Sequence, residues 1–136
     1  MIETYSNNLT VESNSVVTFN TTFQKGNTVT KAGDGTIQLN KCGIYELNLN
    51  AVGIASSGGN ITLQLLINGS AVPNAFSSVT ATDTTSTHSL NFTTKIQVPI
   101  SYNKCDACSP AFTVSIVNSG VAATYSLVNV VVTKLI

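Results

Sequence analysis

A chain of 136 residues with a formal net charge of zero and 9% charged residues is long enough to form one domain with a buried core. It contains no arginine, and its lysines are scattered rather than gathered into a basic stripe, so nucleic acid is not expected as a partner. No run approaches the roughly 20 apolar residues that cross a bilayer, and no membrane insertion is expected. The abundance of Thr, Val, Asn and Ser favours β-strands joined by polar turns.

The opening segment, MIETYSNNLTVESNS, lacks the apolar stretch of a secretory signal. The first strand is predicted shortly after it, in SVVTFNTTF, and a second short strand, TIQLN, follows a turn at KAGDGT. Residues 1–15 are therefore predicted to form a short N-terminal arm, and residues 16–136 a single domain.

Four longer segments alternate apolar and polar residues with the period of a half-buried strand. In GIYELNLNAV, for example, Tyr45, Leu47 and Leu49 alternate with Glu46 and Asn48. The apolar faces of the other three segments consist of Ile61, Leu63, Leu65 and Ile67, of Leu90, Phe92, Ile96, Val98 and Ile100, and of Phe112, Val114 and Ile116. Helical spacing is almost absent, so the pattern predicts an all-β protein.

The last segment, AATYSLVNVVVTKLI, is apolar on both faces. Its two alternations carry Tyr125, Leu127 and Val131 on one side and Val128, Val130 and Val132 on the other. A strand that is apolar on both faces is covered on both faces, by the core on one side and by a loop or a second subunit on the other. We favour a subunit, because so much exposed apolar surface marks a contact site. The predicted interface comprises Tyr125, Leu127, Val128, Val130 and Val132.

About eight short strands separated by Gly and Asn turns are typical of a jelly roll or a related sandwich. The order of features resembles the C1q and tumour necrosis factor superfamily. Gly43 and Tyr45 open a central strand, a strand ending in Asn68 and Gly69 follows, and a long alternating strand precedes the apolar last one. The resemblance extends over residues 16–136 and points to small bacterial and bacteriophage members, such as exosporium glycoprotein C-terminal domains and phage head-fibre or decoration proteins. It implies a two-sheet antiparallel jelly-roll sandwich that forms a compact homotrimer.

The three cysteines raise the question of a metal or redox site, because Cys105 and Cys108 form a C-x-x-C pair. A structural zinc site needs four ligands, and in a jelly roll Cys42 and this pair are expected at the opposite end from His88, the single histidine. The pair lies in a predicted loop rather than at a helix N-terminus, which disfavours redox catalysis. A disulfide between Cys105 and Cys108, a bridge from Cys42 to either, and three thiols remain open, with thiols favoured in a reducing cytosol.

The sequence offers no catalytic constellation. A hydrolytic triad needs a nucleophile, a base and an acid in contact, whereas His88 is predicted to be solvated at a strand start. The carboxylates are too scattered to predict a glycosidase pair or a calcium site; they are Glu3, Glu12, Asp34, Glu46, Asp83 and Asp106. AGDGT around Asp34 is interpreted as a tight turn. Chance sequons, interpreted as unglycosylated, occur at Asn8, Asn20, Asn60, Asn68 and Asn91. We predict a protein that is not an enzyme and that uses no cofactor.

Three functions are compatible with these predictions. The favoured one is a trimeric structural protein of a virion surface, made in the host cytoplasm and docked to a capsid or fibre protein through residues 1–15. The second is a receptor- or glycan-binding module, with Tyr5 and Tyr102 as candidate contacts for a host surface glycan. The third, a spore or exosporium trimer, is disfavoured because no Gly-X-Y collagen tract precedes the domain.

Overall fold

The computed structural model describes residues 1–99 and 112–136. Within them, ten strands form two five-stranded antiparallel sheets, which confirms the predicted all-β sandwich. The strands are β1 (Ile2–Val11), β2 (Thr21–Gln24), β3 (Val29–Gly33), β4 (Thr36–Leu39), β5 (Gly43–Ala55), β6 (Gly59–Ile67), β7 (Ser70–Ala81), β8 (His88–Val98), β9 (Phe112–Asn118) and β10 (Ala123–Lys134). The described part of the chain contains no helix that is long and apolar enough to cross a membrane.

The chain contributes strands to the two sheets in turn. Sheet A has the strand order β2-β1-β10-β5-β8, and sheet B has the order β3-β4-β9-β6-β7. From β4 onwards the chain passes repeatedly from one sheet to the other, and the first and last strands become neighbours in sheet A. This arrangement is the predicted jelly roll.

The core lies between the two sheets and consists of the side chains that the alternation assigned to it. Tyr45, Leu47 and Leu49 of β5 are at most 1% exposed. The inward residues of β6, β8 and β9 are buried in the same cluster, with Phe92 and Phe112 packed partly buried at its margin. Ile100, which was predicted to continue the β8 pattern, lies outside the described residues.

The predicted N-terminal arm is wrong for Ile2–Val11, which forms β1. This strand pairs with β10 on one side and with β2 on the other, so it is an interior strand of sheet A. Two of its inward residues are Thr4 and Ser6, which are buried although they are polar. These two residues break the apolar alternation that identifies strands, so the sequence pattern concealed β1. The sandwich therefore includes residues that we had placed ahead of residues 16–136.

The predicted subunit interface is also largely wrong, because β10 contains a bulge. The register against β5 shifts between Tyr125 and Leu127, so Ser126 is an extra residue. The inward positions therefore change from odd to even numbers at this point. The residues Tyr125, Val128, Val130 and Val132 all face the core of their own chain and are 0% exposed. Of the five predicted residues, Leu127 alone lies on the outer face of the strand.

Asn118 ties the end of β1 to the turn between β9 and β10. Its side chain is fully buried, and Nδ2 donates to the carbonyl oxygens of Val11 (3.2 Å), Glu12 (3.3 Å) and Val121 (2.9 Å). Its Oδ1 accepts a hydrogen bond of 3.0 Å from the backbone N–H of Gly120. A buried amide is tolerated because its polar atoms are all bonded. These bonds hold the end of β1 in its place in sheet A.

Candidate functional site

The outer face of sheet A is the side of that sheet that points away from the core. It carries a band of apolar side chains at its centre, of which Tyr5, Val52, Leu127 and Val131 are each half-buried. Leu127 lies directly opposite Val52 on the neighbouring strand. Apolar side chains that adjoin one another on a solvent-facing sheet mark a contact surface.

A row of amides crosses this band. The row consists of three asparagines in register on neighbouring strands: Asn129 on β10, Asn50 on β5 and Asn91 on β8. Tyr5 on β1 continues the row on the other side of Asn129. Asn129 is half-buried, and its Nδ2 donates a hydrogen bond of 2.8 Å to the carboxylate of Glu3. Because an amide both donates and accepts hydrogen bonds, this row can pair with an identical row or with hydroxyl groups.

A second polar chain holds the adjoining part of the face in place. Thr93 Oγ1 donates to Asn48 Oδ1 at 2.5 Å, and Asn48 Nδ2 donates to the Glu46 carboxylate at 3.3 Å. Glu46 lies opposite Lys95 in the pairing of β5 with β8. Lys95 is exposed and forms no ion pair with any residue among 1–99 and 112–136. The face therefore carries charged groups of both signs.

The four residues of the resemblance motif shape the fold rather than this face. Gly43 has a φ of +144°, and a Cβ there would collide with the carbonyl oxygen of Ile136. Tyr45 is buried, and its hydroxyl donates to the carbonyl of Lys41 at 2.5 Å. Asn68 and Gly69 have φ values of +51° and +84°, as a tight hairpin turn between β6 and β7 requires.

Two buried tyrosines have raised pKa values. Loss of solvent raises the pKa of Tyr45, and the hydrogen bond that its oxygen accepts from the backbone N–H of Lys41 opposes this effect. Burial raises the pKa of Tyr125 to about 12, and its hydroxyl has no hydrogen-bond partner within the described chain. An unpaired buried hydroxyl loses its hydration without compensation, which disfavours the anion still more strongly.

His88 begins β8 as predicted, but it is half-buried rather than solvated, and its Nε2 is buried without a partner among the described residues. It lies opposite Gly53, whereas Val98 at the other end of β8 lies opposite Gly43, next to Cys42. His88 and Cys42 are thus at opposite ends of sheet A, as expected. The described residues contain no group of three or more His, Cys, Asp or Glu that could hold a metal ion.

Cys42 is disulfide-bonded in the structure, so the favoured prediction of three thiols is wrong. The other two cysteines, Cys105 and Cys108, lie outside the described residues, as do Tyr102 and Asp106. Tyr5, the other predicted glycan contact, lies on the outer face of sheet A. Asp34 follows β3 in the turn before β4, with its backbone carbonyl accepting a hydrogen bond of 2.7 Å from Phe19 N.

The fold of this chain is similar to that of several solved structures. No family model matches the chain, and no curated protein matches it. Two crystal structures of murine APRIL, at pH 8.5 and pH 8.0, superpose with TM-scores of 0.57 and 0.56; in both comparisons the alignment covers 98% of each chain at 11% identity. A CBM35 from Cellvibrio japonicus Abf62 aligns over 98% of this chain and 96% of its own at 12% identity, with a TM-score of 0.43, which is too low to establish a common fold.

The chain is a jelly roll of the tumour necrosis factor type. At 11% identity the likeness to APRIL establishes the fold, and function has to be argued from the surface. The outer face of sheet A includes residues that the sequence did not identify as parts of a site, among them Glu3, Val52, Lys95 and Asn129. The alternation identifies Val52 and Lys95 as outward positions of their strands, whereas only the pairing of the strands places Glu3 and Asn129 on the same face.

Proposed function

We propose that this protein is a non-enzymatic structural protein of a virion surface and that it assembles as a homotrimer through the outer face of sheet A. The observation that carries the proposal is the half-buried band of Tyr5, Val52, Leu127 and Val131 on the solvent side of the sheet. The resemblance to small phage jelly rolls supports the trimer and the virion surface. Docking through residues 1–15 is no longer part of the proposal, because β1 lies within the sheet.

The occupant of the face is a second copy of the same chain. Its amide row can bond to a different polar patch on a neighbouring copy, since each Asn both donates and accepts. Its carboxylates and its exposed lysine supply both charges, so identical copies can pair them. Burying a side chain such as Leu127 at each contact contributes about 1.5–3 kcal/mol. Several such contacts around a ring offset the entropy of association.

The test compares lysine substitutions on the two sheets. Leu127→Lys places a charge in the proposed contact, whereas Val117→Lys places one at a half-buried outward position of β9 in sheet B. We expect wild type and Val117→Lys to have a molar mass near three times 14.2 kDa in light scattering coupled to gel filtration, and Leu127→Lys to have the mass of one folded chain. A wild-type monomer, or a trimeric Leu127→Lys variant, would overturn the proposed assembly.

The location on a virion has its own test. Mass spectrometry of purified phage particles, together with antibody labelling in electron microscopy, should detect this chain on the particle surface. Its presence only in the host lysate, and not on washed particles, would contradict the proposed location while leaving the assembly intact.

A further inference from the structure

The outer face of sheet A has a carboxylate, Glu3, towards one side and a lysine, Lys95, towards the other, where Glu46 is its cross-strand neighbour. Glu3 lies on β1, and Lys95 lies on β8. Strands β10 and β5 separate them, which places the two backbones about 14 Å apart at roughly 4.8 Å per strand. Glu3 accepts a hydrogen bond from Asn129, and Lys95 has no ion-pair partner in the described chain. Neither Glu3 nor Lys95 therefore has an ion-pair partner among residues 1–99 and 112–136.

Neither Glu3 nor Lys95 forms an ion pair with a charged neighbour among the described residues. Glu46 faces Lys95 across β5 and β8, but the bond of its carboxylate is to Asn48 at 3.3 Å. On the other side, Lys25 follows β2, and it forms no ion pair with Glu3 in the described structure. Because Glu46 is on the strand next to β8, it lies on the same side of the face as Lys95. Glu3 is the carboxylate on the far side.

A ring of identical copies needs two different, complementary patches on each copy, because each contact joins one side of a subunit to the other side of the next. The outer face of sheet A meets this requirement, with Lys95 at the β8 side and Glu3 at the β1 side. A symmetric dimer would use one patch twice instead. The placement of the charges thus favours a closed ring.

We propose that Lys95 of one copy pairs with Glu3 of the next copy around the ring. The inference rests on the proposed function, and it names the residues that decide how neighbouring copies are ordered. An exposed ion pair adds little affinity by itself. Juxtaposed like charges are strongly unfavourable, so the pair acts by rejecting wrong arrangements and by guiding association.

The experiment is a charge exchange. Lys95→Glu and Glu3→Lys each place like charges at every contact of the ring, whereas the double variant restores an opposite pair in reversed order. In sedimentation equilibrium over a range of concentrations, we expect each single variant to raise the midpoint concentration of assembly by about tenfold or more, and the double variant to return to within about threefold of wild type. The deficit of the single variants should shrink as salt is added.

Matched controls keep the net charge change and move it off the face. Lys41→Glu lies in the exposed segment before β5, and Glu12→Lys lies in the exposed segment after β1. Both should assemble as wild type does. Glu3→Gln keeps an oxygen that can accept from Asn129, so it separates the loss of charge from the loss of that hydrogen bond. Far-ultraviolet circular dichroism checks that each variant is folded.

The outcomes distinguish this pair from the assembly itself. A trimeric wild type with weakened single variants and a restored double variant supports the pair. A trimeric wild type whose single variants assemble normally, or whose double variant is as weak as the singles, overturns the pair and leaves the proposed function standing. A wild type that stays monomeric overturns both.

Discussion

The ring of Tyr125 lies over Gly53 and fills the space that any other residue at that position would need for its Cβ. An ideal Cβ at Gly53 would lie 2.5 Å from Cδ1 and 2.9 Å from Cε1 of Tyr125, and 3.1 Å from the carbonyl oxygen of Thr124. The two residues are paired directly in the register of β5 with β10. This contact explains a glycine in the interior of a long central strand, where it otherwise weakens the sheet.

We expect Gly53→Ala to lower the free energy of unfolding by about 1–3 kcal/mol, because the ring cannot move aside in a closely packed core. Gly33→Ala is the control, since a Cβ there has nothing within 4 Å. Urea unfolding followed by circular dichroism measures both. Equal midpoints for the two variants would show that the Tyr125 ring has room to adjust.

Two adjacent residues of β10 should lose stability to different extents when each is replaced by threonine. Val130 is fully buried in the core, whereas Val131 lies half-buried on the outer face. Replacing valine by threonine keeps the shape but adds a hydroxyl, which costs about 1–3 kcal/mol when it is buried without a partner. We therefore expect Val130→Thr to destabilise the fold by that amount and Val131→Thr by less than about 0.5 kcal/mol.

The measurement is the urea midpoint at the lowest practical protein concentration, where association contributes least to stability. A larger effect at Val131 than at Val130 would mean that Val131, rather than Val130, faces the core. The original interface prediction would then regain support.

Tyr125 should make the fold sensitive to alkali. Its pKa in the folded chain is about 12, against 10.0 for an ordinary tyrosine. Between these values the unfolded chain has lost the phenolic proton while the folded chain keeps it, so unfolding releases a proton and stability falls as pH rises. The slope from this group is about 1.4 kcal/mol per pH unit. Tyr45 contributes in the same direction, because its pKa is also raised.

Tyr125→Phe separates the two contributions. It removes a buried hydroxyl that has no partner in the described chain, so at neutral pH it should leave stability nearly unchanged. Above about pH 10 the variant should be more stable than wild type, by a margin that grows with pH. Parallel urea curves at neutral and alkaline pH test this, and an equal loss of stability in both proteins would exclude Tyr125 as the titrating group.

Sequence reasoning succeeded where burial follows a strict alternation. In β5 the buried residues Tyr45, Leu47 and Leu49 alternate with polar residues, so both the strand and the inward direction of these side chains were predictable. It failed at β1, where Thr4 and Ser6 occupy inward positions. Ser6 is tolerated at its inward position because its hydroxyl donates to the carbonyl oxygen of Thr18 and accepts from the backbone N–H of Asn20. Both partners lie in the segment between β1 and β2, and no local sequence pattern predicts these bonds.

The failure at β10 has a different cause. A run that is apolar at both odd and even positions fits either face, and a single extra residue decides between them. The bulge at Ser126 arises from the pairing with β5 and therefore cannot be read from β10 alone. It sends Val130 into the core and leaves Leu127 and Val131 on the surface that we propose as the contact between copies.

The sequence by itself determined the all-β class, the strands with a strict alternation and the tight turn at Asn68 and Gly69, because alternation and turn chemistry depend on neighbouring residues. The tertiary structure decided which strands are adjacent and which outward residues share a face. Glu3 and Asn129 are 126 positions apart along the chain, yet their side chains are joined by a hydrogen bond of 2.8 Å. Contacts of this kind depend on strand order and register, which the whole core fixes at once as the two sheets pack together.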